Sequence, residues 1–159
     1  MAHSSVRSRP SIAPTITFNF VYLKTSSGIL KLLQLILGIC CIGIVGHQFS
    51  TASYYRNTTE LFFLLITTTF MIGTFIILLS FLTSVTTATI MSKTIYEIIY
   101  NSIAFGLLLA ASLTLLININ NDKQHRGFEL LLGASICGLV NAALYFCSTI
   151  VALRTYKGH

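Results

Sequence analysis

The chain has 159 residues, room for a single domain; 54% of them are hydrophobic, only 9% are charged, and the mean hydropathy is +0.81. Ordinary soluble domains carry roughly a quarter charged residues, so this composition cannot solvate a water-facing surface and argues against a soluble enzyme. Ten Lys or Arg against four Asp or Glu give a formal +6, but the basic residues lie in the tails and between apolar runs, where they orient a chain against an anionic membrane face rather than bind nucleic acid.

Residues 1–27 form a polar head with Arg7, Arg9, Lys24, Pro10, Pro14 and many Ser and Thr. No apolar period runs through it, so it reads as a cytoplasmic tail without a core. The first apolar run starts too far in and is too long for a cleavable signal peptide. Four such runs follow, at residues 29–49, 61–82, 95–117 and 130–153, each near the roughly 20 residues that span hydrocarbon as a helix. None contains proline, so each can close its own backbone hydrogen bonds, as a bilayer interior requires. The connections are short, which favours antiparallel neighbours. The expected fold is an all-α integral membrane four-helix bundle, up-down-up-down, with a membrane domain over residues 28–154 and a short tail at 155–159.

Four spans bring both termini to one side. Arg7, Arg9, Lys24, Lys31, Lys93, Arg154 and Lys157 share that side, against Arg56, Lys123 and Arg126 on the other, so the positive-inside rule places both termini in the cytoplasm. Asn57-Thr58-Thr59 is an N-glycosylation acceptor in the first loop, on the expected outer face, though it abuts the second span.

Polar residues inside the spans are the candidate functional positions. Glu97 and Asn101 are four apart, hence on one face of the third span. Lys31 and Gln34 occupy the equivalent depth of the first, which makes a Lys31 to Glu97 ion pair geometrically accessible and favours a docking role over ion handling. Small residues recur every four positions in the third span (Ser102, Gly106, Ala110, Thr114) and in the fourth (Ala134, Gly138, Ala142), with Gly133, Cys137 and Asn141 beside the latter. Such stripes let helix backbones approach closely, within the bundle or between copies of it. Gly38, Gly43 and Gly46 extend the pattern to the first span. The cysteines, Cys40, Cys41, Cys137 and Cys147, all lie in apolar runs, so no structural disulfide is expected; Cys147 reads as a packed apolar residue sooner than a palmitoylation site. No spacing implies a metal, cofactor or catalytic constellation; a lone His47 at the far end of the first span is the only interfacial histidine that a lipid-active enzyme could use. Thr83 to Thr89 could be phosphorylated or could bond helix-end backbone groups. Tyr22, Tyr54, Tyr55, Tyr96 and Tyr156 fall at span ends, where aromatic residues set depth.

Entered from the polar head, the first span reads Ser27-Gly28-Ile29-Leu30-Lys31-Leu32-Leu33-Gln34-Leu35-Ile36-Leu37-Gly38. In this opening, and in its hydropathy pattern over residues 25 to 155, the chain resembles the MARVEL family of four-span proteins, which includes MAL, the chemokine-like-factor proteins, and occludin and synaptophysin relatives. Among short members it is similar to insect proteins of the singles bar type. Its fourth span, with Gly133, Asn141, Tyr145 and Arg154, is similar to the insect snakeskin protein of smooth septate junctions. The resemblance implies a non-enzymatic role in membrane apposition: vesicle trafficking, organisation of cholesterol-rich membrane, cell junctions or cell fusion, including myoblast fusion. The implied location is the plasma membrane, vesicle membranes or both, with the bilayer, other membrane proteins and further copies of the chain as partners. Claudins, tetraspanins and connexins are disfavoured by the missing loop cysteines and the absence of Trp. Membrane glutathione enzymes are disfavoured because their arginine-rich site has no counterpart here. The competing reading is a small channel or transporter subunit with Glu97, Asn101 and Asn141 along a polar path.

Overall fold

A computed structural model describes residues 24–51, 58–83, 95–121 and 127–158, except for the side chains at 49 and 51. Four helices account for nearly all of them: α1 Ser26–Thr51, α2 Thr58–Thr83, α3 Ile95–Asn121 and α4 Phe128–Lys157. The described residues include no strand. Each helix is long and apolar enough to cross a membrane. With 26 to 30 residues at about 1.5 Å rise, they exceed the ~30 Å hydrocarbon thickness by a turn or more at the ends. This is why they outrun the apolar stretches of the sequence: a helix continues into the interface, where exposed polar side chains such as Asn121 and Lys157 are tolerated.

The helices pack in a ring, α1 on α2, α2 on α3, α3 on α4 and α4 back on α1. Chain direction alternates, because residues near the start of α1 meet residues near the end of α4, as in the bond from Gln34 to Ser148. The inward faces follow alternating steps of three and four: Glu60, Phe63, Thr67, Phe70, Thr74, Ile77 and Phe81 in α2; Glu97, Asn101, Ala104, Leu108, Ala111 and Leu115 in α3; Leu131, Ala134, Gly138, Asn141, Tyr145, Ser148 and Ala152 in α4. That alternation is the seam of shallow, left-handed helix packing. Outward faces are greasier than the interior: Leu65, Ile76 and Ile117 are each more than half exposed, as expected of a bundle whose solvent is lipid. Two outward hydroxyls are closed onto their own helix, Thr69 on the Leu65 carbonyl at 2.8 Å and Thr114 on that of Ala110 at 2.7 Å, so neither is a bare donor facing hydrocarbon.

Two close approaches set the geometry. Gly138 is buried where α4 meets α3 and α2, and a Cβ there would lie 2.7 Å from Phe63 Cε2 as well as against the Ser112 hydroxyl. Gly127, which caps α4, has φ 99° and rests against the Gln48 side chain of α1; both the backbone and the contact demand glycine.

The third-span stripe behaves differently from the sequence expectation of close packing inside the bundle. Ser102, Gly106, Ala110 and Thr114 are all exposed, and a Cβ on Gly106 would meet nothing within 4 Å. At about 100° per residue, positions 106 and 110 lie about 140° and 180° from Asn101; once Asn101 faces inward, the stripe must face out. Gly106→Leu is therefore expected to change thermal stability in detergent by less than about 0.5 kcal/mol, as surface substitutions usually do. In α1, Gly38 is buried against Met71, with Cβ clearance of 3.2 Å, whereas Gly43 and Gly46 face open space. Cys147 is exposed rather than packed, because its position lies beside the inward Tyr145 and Ser148 register; Cys40 is also exposed, Cys41 is buried and Cys137 half-buried, and all four thiols are free.

Candidate functional site

Lys31, Gln34, Thr74, Glu97, Asn101 and Ser148 gather toward one end of the bundle, where α1 and α3 begin and α2 and α4 finish, while Glu60 and Ser135 are buried toward the other. Lys31, fully buried, reaches across the ring to α3: its Nζ donates to Asn101 Oδ1 at 2.7 Å and lies 3.6 Å from Glu97 Oε1. The direct hydrogen bond goes to the amide, while the carboxylate supplies the compensating charge from just beyond charge-assisted bonding distance. The ammonium also lies 5.5 Å from the centre of the Tyr100 ring, within the range of a cation–π attraction. Glu97 is 5% exposed; a carboxylate so placed in lipid needs a partner, and Lys31 is it. One turn further along α1, Gln34 Nε2 donates to Ser148 Oγ at 2.8 Å.

Immediately inward lies a layer of hydroxyls and rings. Thr74 Oγ1 is 2.5 Å from the Tyr145 hydroxyl and 3.1 Å from that of Tyr100. Both tyrosines also reach the Phe70 carbonyl, at 3.0 Å from Tyr100 and 3.3 Å from Tyr145. Each hydroxyl has one proton to give, so Thr74 accepts from one tyrosine and donates to the other, while the second tyrosine donates to Phe70. The rings of Phe70, Tyr100 and Tyr145 meet edge to face with centroids 5.9 to 6.4 Å apart, a preferred aromatic arrangement. Three helices are thereby tied at one level. Tyr145→Phe is expected to lower stability by about 0.5–1.5 kcal/mol, and a cycle with Thr74→Val to show coupling of about 0.6 kcal/mol, typical of hydrogen bonds between membrane helices; thermal unfolding of the four cycle members checks it.

Beyond this layer the interior turns to small and apolar side chains, ending in Cys41, Val45, Phe63, Leu115, Ile119 and Leu131. Thr67, Ser112 and Asn141 are buried in between, and Thr67 Oγ1, Ser112 Oγ and Asn141 Oδ1 have no hydrogen-bond partner among the described residues. Asn141 therefore does not join Lys31, Gln34, Glu97 and Asn101, while Ala134 and Gly138 are interior packing positions. Tyr96 and Tyr156 are about half exposed at the polar end, at the depth aromatic belts occupy. Asn57 lies outside the described residues. So do Arg7, Arg9, Pro10, Pro14, Tyr22, Tyr54, Tyr55, Arg56, Lys93, Lys123, Arg126 and residues 84–89.

Sequence reasoning did not reach Thr74, Tyr100 and Ser148. The available signal was the step of three or four that carries Glu97 to Asn101 and Asn141 through Tyr145 to Ser148. In α2 the same step links Thr67, Phe70 and Thr74.

Chemically, the arrangement offers compensated charge and closed hydroxyl chains. Among the described residues no group of three or more His, Cys, Asp or Glu could hold a metal ion. Residues 22–151 match the family described as MARVEL, membrane-associating domain, a stretch that contains α1, α2 and α3 entire and all but the last residues of α4. The chain belongs to the MARVEL family. It is a multi-pass membrane protein of that family, and the polar layer lies wholly within its MARVEL domain. No curated protein and no solved structure gives a significant match to it.

Proposed function

We propose that this MARVEL protein is a non-enzymatic membrane organiser, acting in membrane apposition during vesicle trafficking, at cell junctions or in cell fusion, in the plasma membrane or vesicle membranes. Both termini face the cytoplasm, in keeping with the basic residues Lys24, Arg154 and Lys157 at one end of the bundle. The observation that carries the reading is the distribution of polarity. The buried charges of Lys31 and Glu97 compensate one another, and the outer faces carry large apolar side chains from Ile29 to Leu153. What the molecule offers to others is therefore apolar helix surface, suited to lipid, including cholesterol-rich membrane, to other spans and to further copies of itself.

The channel reading, a polar path at Glu97, Asn101 and Asn141, draws on atoms unpartnered among the described residues, Asn101 Nδ2 and Asn141 Oδ1, together with the hydroxyls of Thr67 and Ser112. Against it, the buried Lys31 ammonium bonds Asn101 and stands 3.6 Å from Glu97, so a path through those residues would meet a buried cation. Two measurements separate the readings: localisation of protein tagged at both ends in polarised and fusing cells, and proton or ion flux into liposomes. Enrichment at junctions, vesicles or fusion sites with no flux supports the organiser. Uniform surface staining with flux abolished by Glu97→Gln overturns it.

A further inference from the structure

The outward face of α4 carries an open groove of about 620 Å³ near the end of the helix, lined by that helix alone, with Phe146, Ile150 and Leu153 as apolar wall and Thr149, Arg154 and Lys157 among its polar lining. Phe146 is braced from beneath by Phe105 of α3, with ring centroids 5.1 Å apart. Thr149 has already turned its hydroxyl onto the Tyr145 carbonyl at 3.0 Å, which leaves the wall beneath the two cations apolar. Arg154 and Lys157 are exposed and three residues apart, hence on one side of the helix, and neither side chain makes a hydrogen bond or ion pair among the described residues. They lie at the end of the bundle where the sequence places most of its basic residues.

We propose that this groove is a binding site for an anionic phospholipid, with the phosphate and acidic headgroup against Arg154 and Lys157 and an acyl chain along Phe146, Ile150 and Leu153. Charge complementarity selects the occupant. A neutral lipid would satisfy the apolar wall and leave two cations unanswered, whereas a soluble anion would satisfy the cations and leave the wall bare. The carbonyl end of α4 attracts the same cations, but its last carbonyls are already closed in part by the Gly158 N–H on the Arg154 carbonyl, at 3.0 Å. Arg is suited to the phosphate by its planar fork of donors, and Lys adds a second point charge.

The test is native mass spectrometry of the full chain released from nanodiscs of phosphatidylcholine with and without phosphatidylserine, supported by titration of the detergent-purified protein with each lipid. Retention of at least one phosphatidylserine is expected, with a preference over phosphatidylcholine that falls roughly tenfold or more in Arg154→Gln/Lys157→Gln. Ile150→Trp, which fills the groove and keeps every charge, should lower it as well, while Lys24→Gln, which removes an exposed cation outside the lining, should leave it unchanged. Equal loss in Lys24→Gln, or full retention in Ile150→Trp, would show diffuse charge attraction and overturn the site. Release of inorganic phosphate binding alone, without lipid preference, would overturn it too. Because a nanodisc presents both faces to the same lipid, the result is independent of which side the termini occupy.

Discussion

Replacing Lys31 by Met is expected to remove about 3–5 kcal/mol of stability, and replacing Glu97 by Leu in the same chain to restore most of it. The single change strips the buried carboxylate of its neutralising charge, and breaking a buried pair from one side has that magnitude because the remaining ion is left uncompensated. The double change removes both ions, and apolar replacements of buried pairs are often neutral or stabilising. The geometry adds a distinction. Since the ammonium bonds Asn101 at 2.7 Å and only approaches Glu97 at 3.6 Å, Asn101→Leu should cost about 1.5–3 kcal/mol, the range for a hydrogen bond to a charged group. Denaturation of the five proteins in lipid nanodiscs measures these terms; simple additivity of the Lys31 and Glu97 changes would mean that the two side chains do not meet.

The second large effect belongs to Gly138. Leucine there has no room: its Cβ alone would stand 2.7 Å from the Phe63 ring, and the remaining atoms would have to displace α2 or α3. Overpacking usually costs about 1–3 kcal/mol and sometimes more, and because backbone as well as side chains must move we expect the upper end or beyond, with loss of a monodisperse species on size-exclusion chromatography. Gly138→Ala should fall between leucine and the parent. The contrast with Gly106→Leu is the informative part, because both glycines belong to small-residue stripes and only one of them is inside.

That contrast also explains which features could be read in advance. Four spans follow from run length and the scarcity of charge, and the shared depth of Lys31 and Glu97 follows from antiparallel counting. Which face of each helix turns inward does not follow from hydropathy, because Leu65 toward lipid and Leu108 toward the core are equally apolar. Ser102, Gly106, Ala110 and Thr114 step by strict fours, which drifts about 40° per step around a helix, while the buried seam alternates threes and fours and stays nearly in line. Asn101 and Tyr145 mark that seam; a stripe counted from them would have put Gly106 outside. The Thr74, Tyr100 and Tyr145 cluster joins three helices, and hydroxyls on separate spans carry no local signal that they share a level.

All of this rests on α3 turning Asn101, Ala104, Leu108 and Leu115 inward and Gly106, Ala110 and Ile117 toward lipid. Nitroxide labels placed singly along α3 in proteoliposomes measure it most directly, through collision rates with oxygen, which concentrates in hydrocarbon. High oxygen accessibility at 106, 110, 113 and 117 with minima at 104, 108, 111 and 115 is the expected profile. Maxima at 104, 108 and 115, or a flat profile, would contradict it.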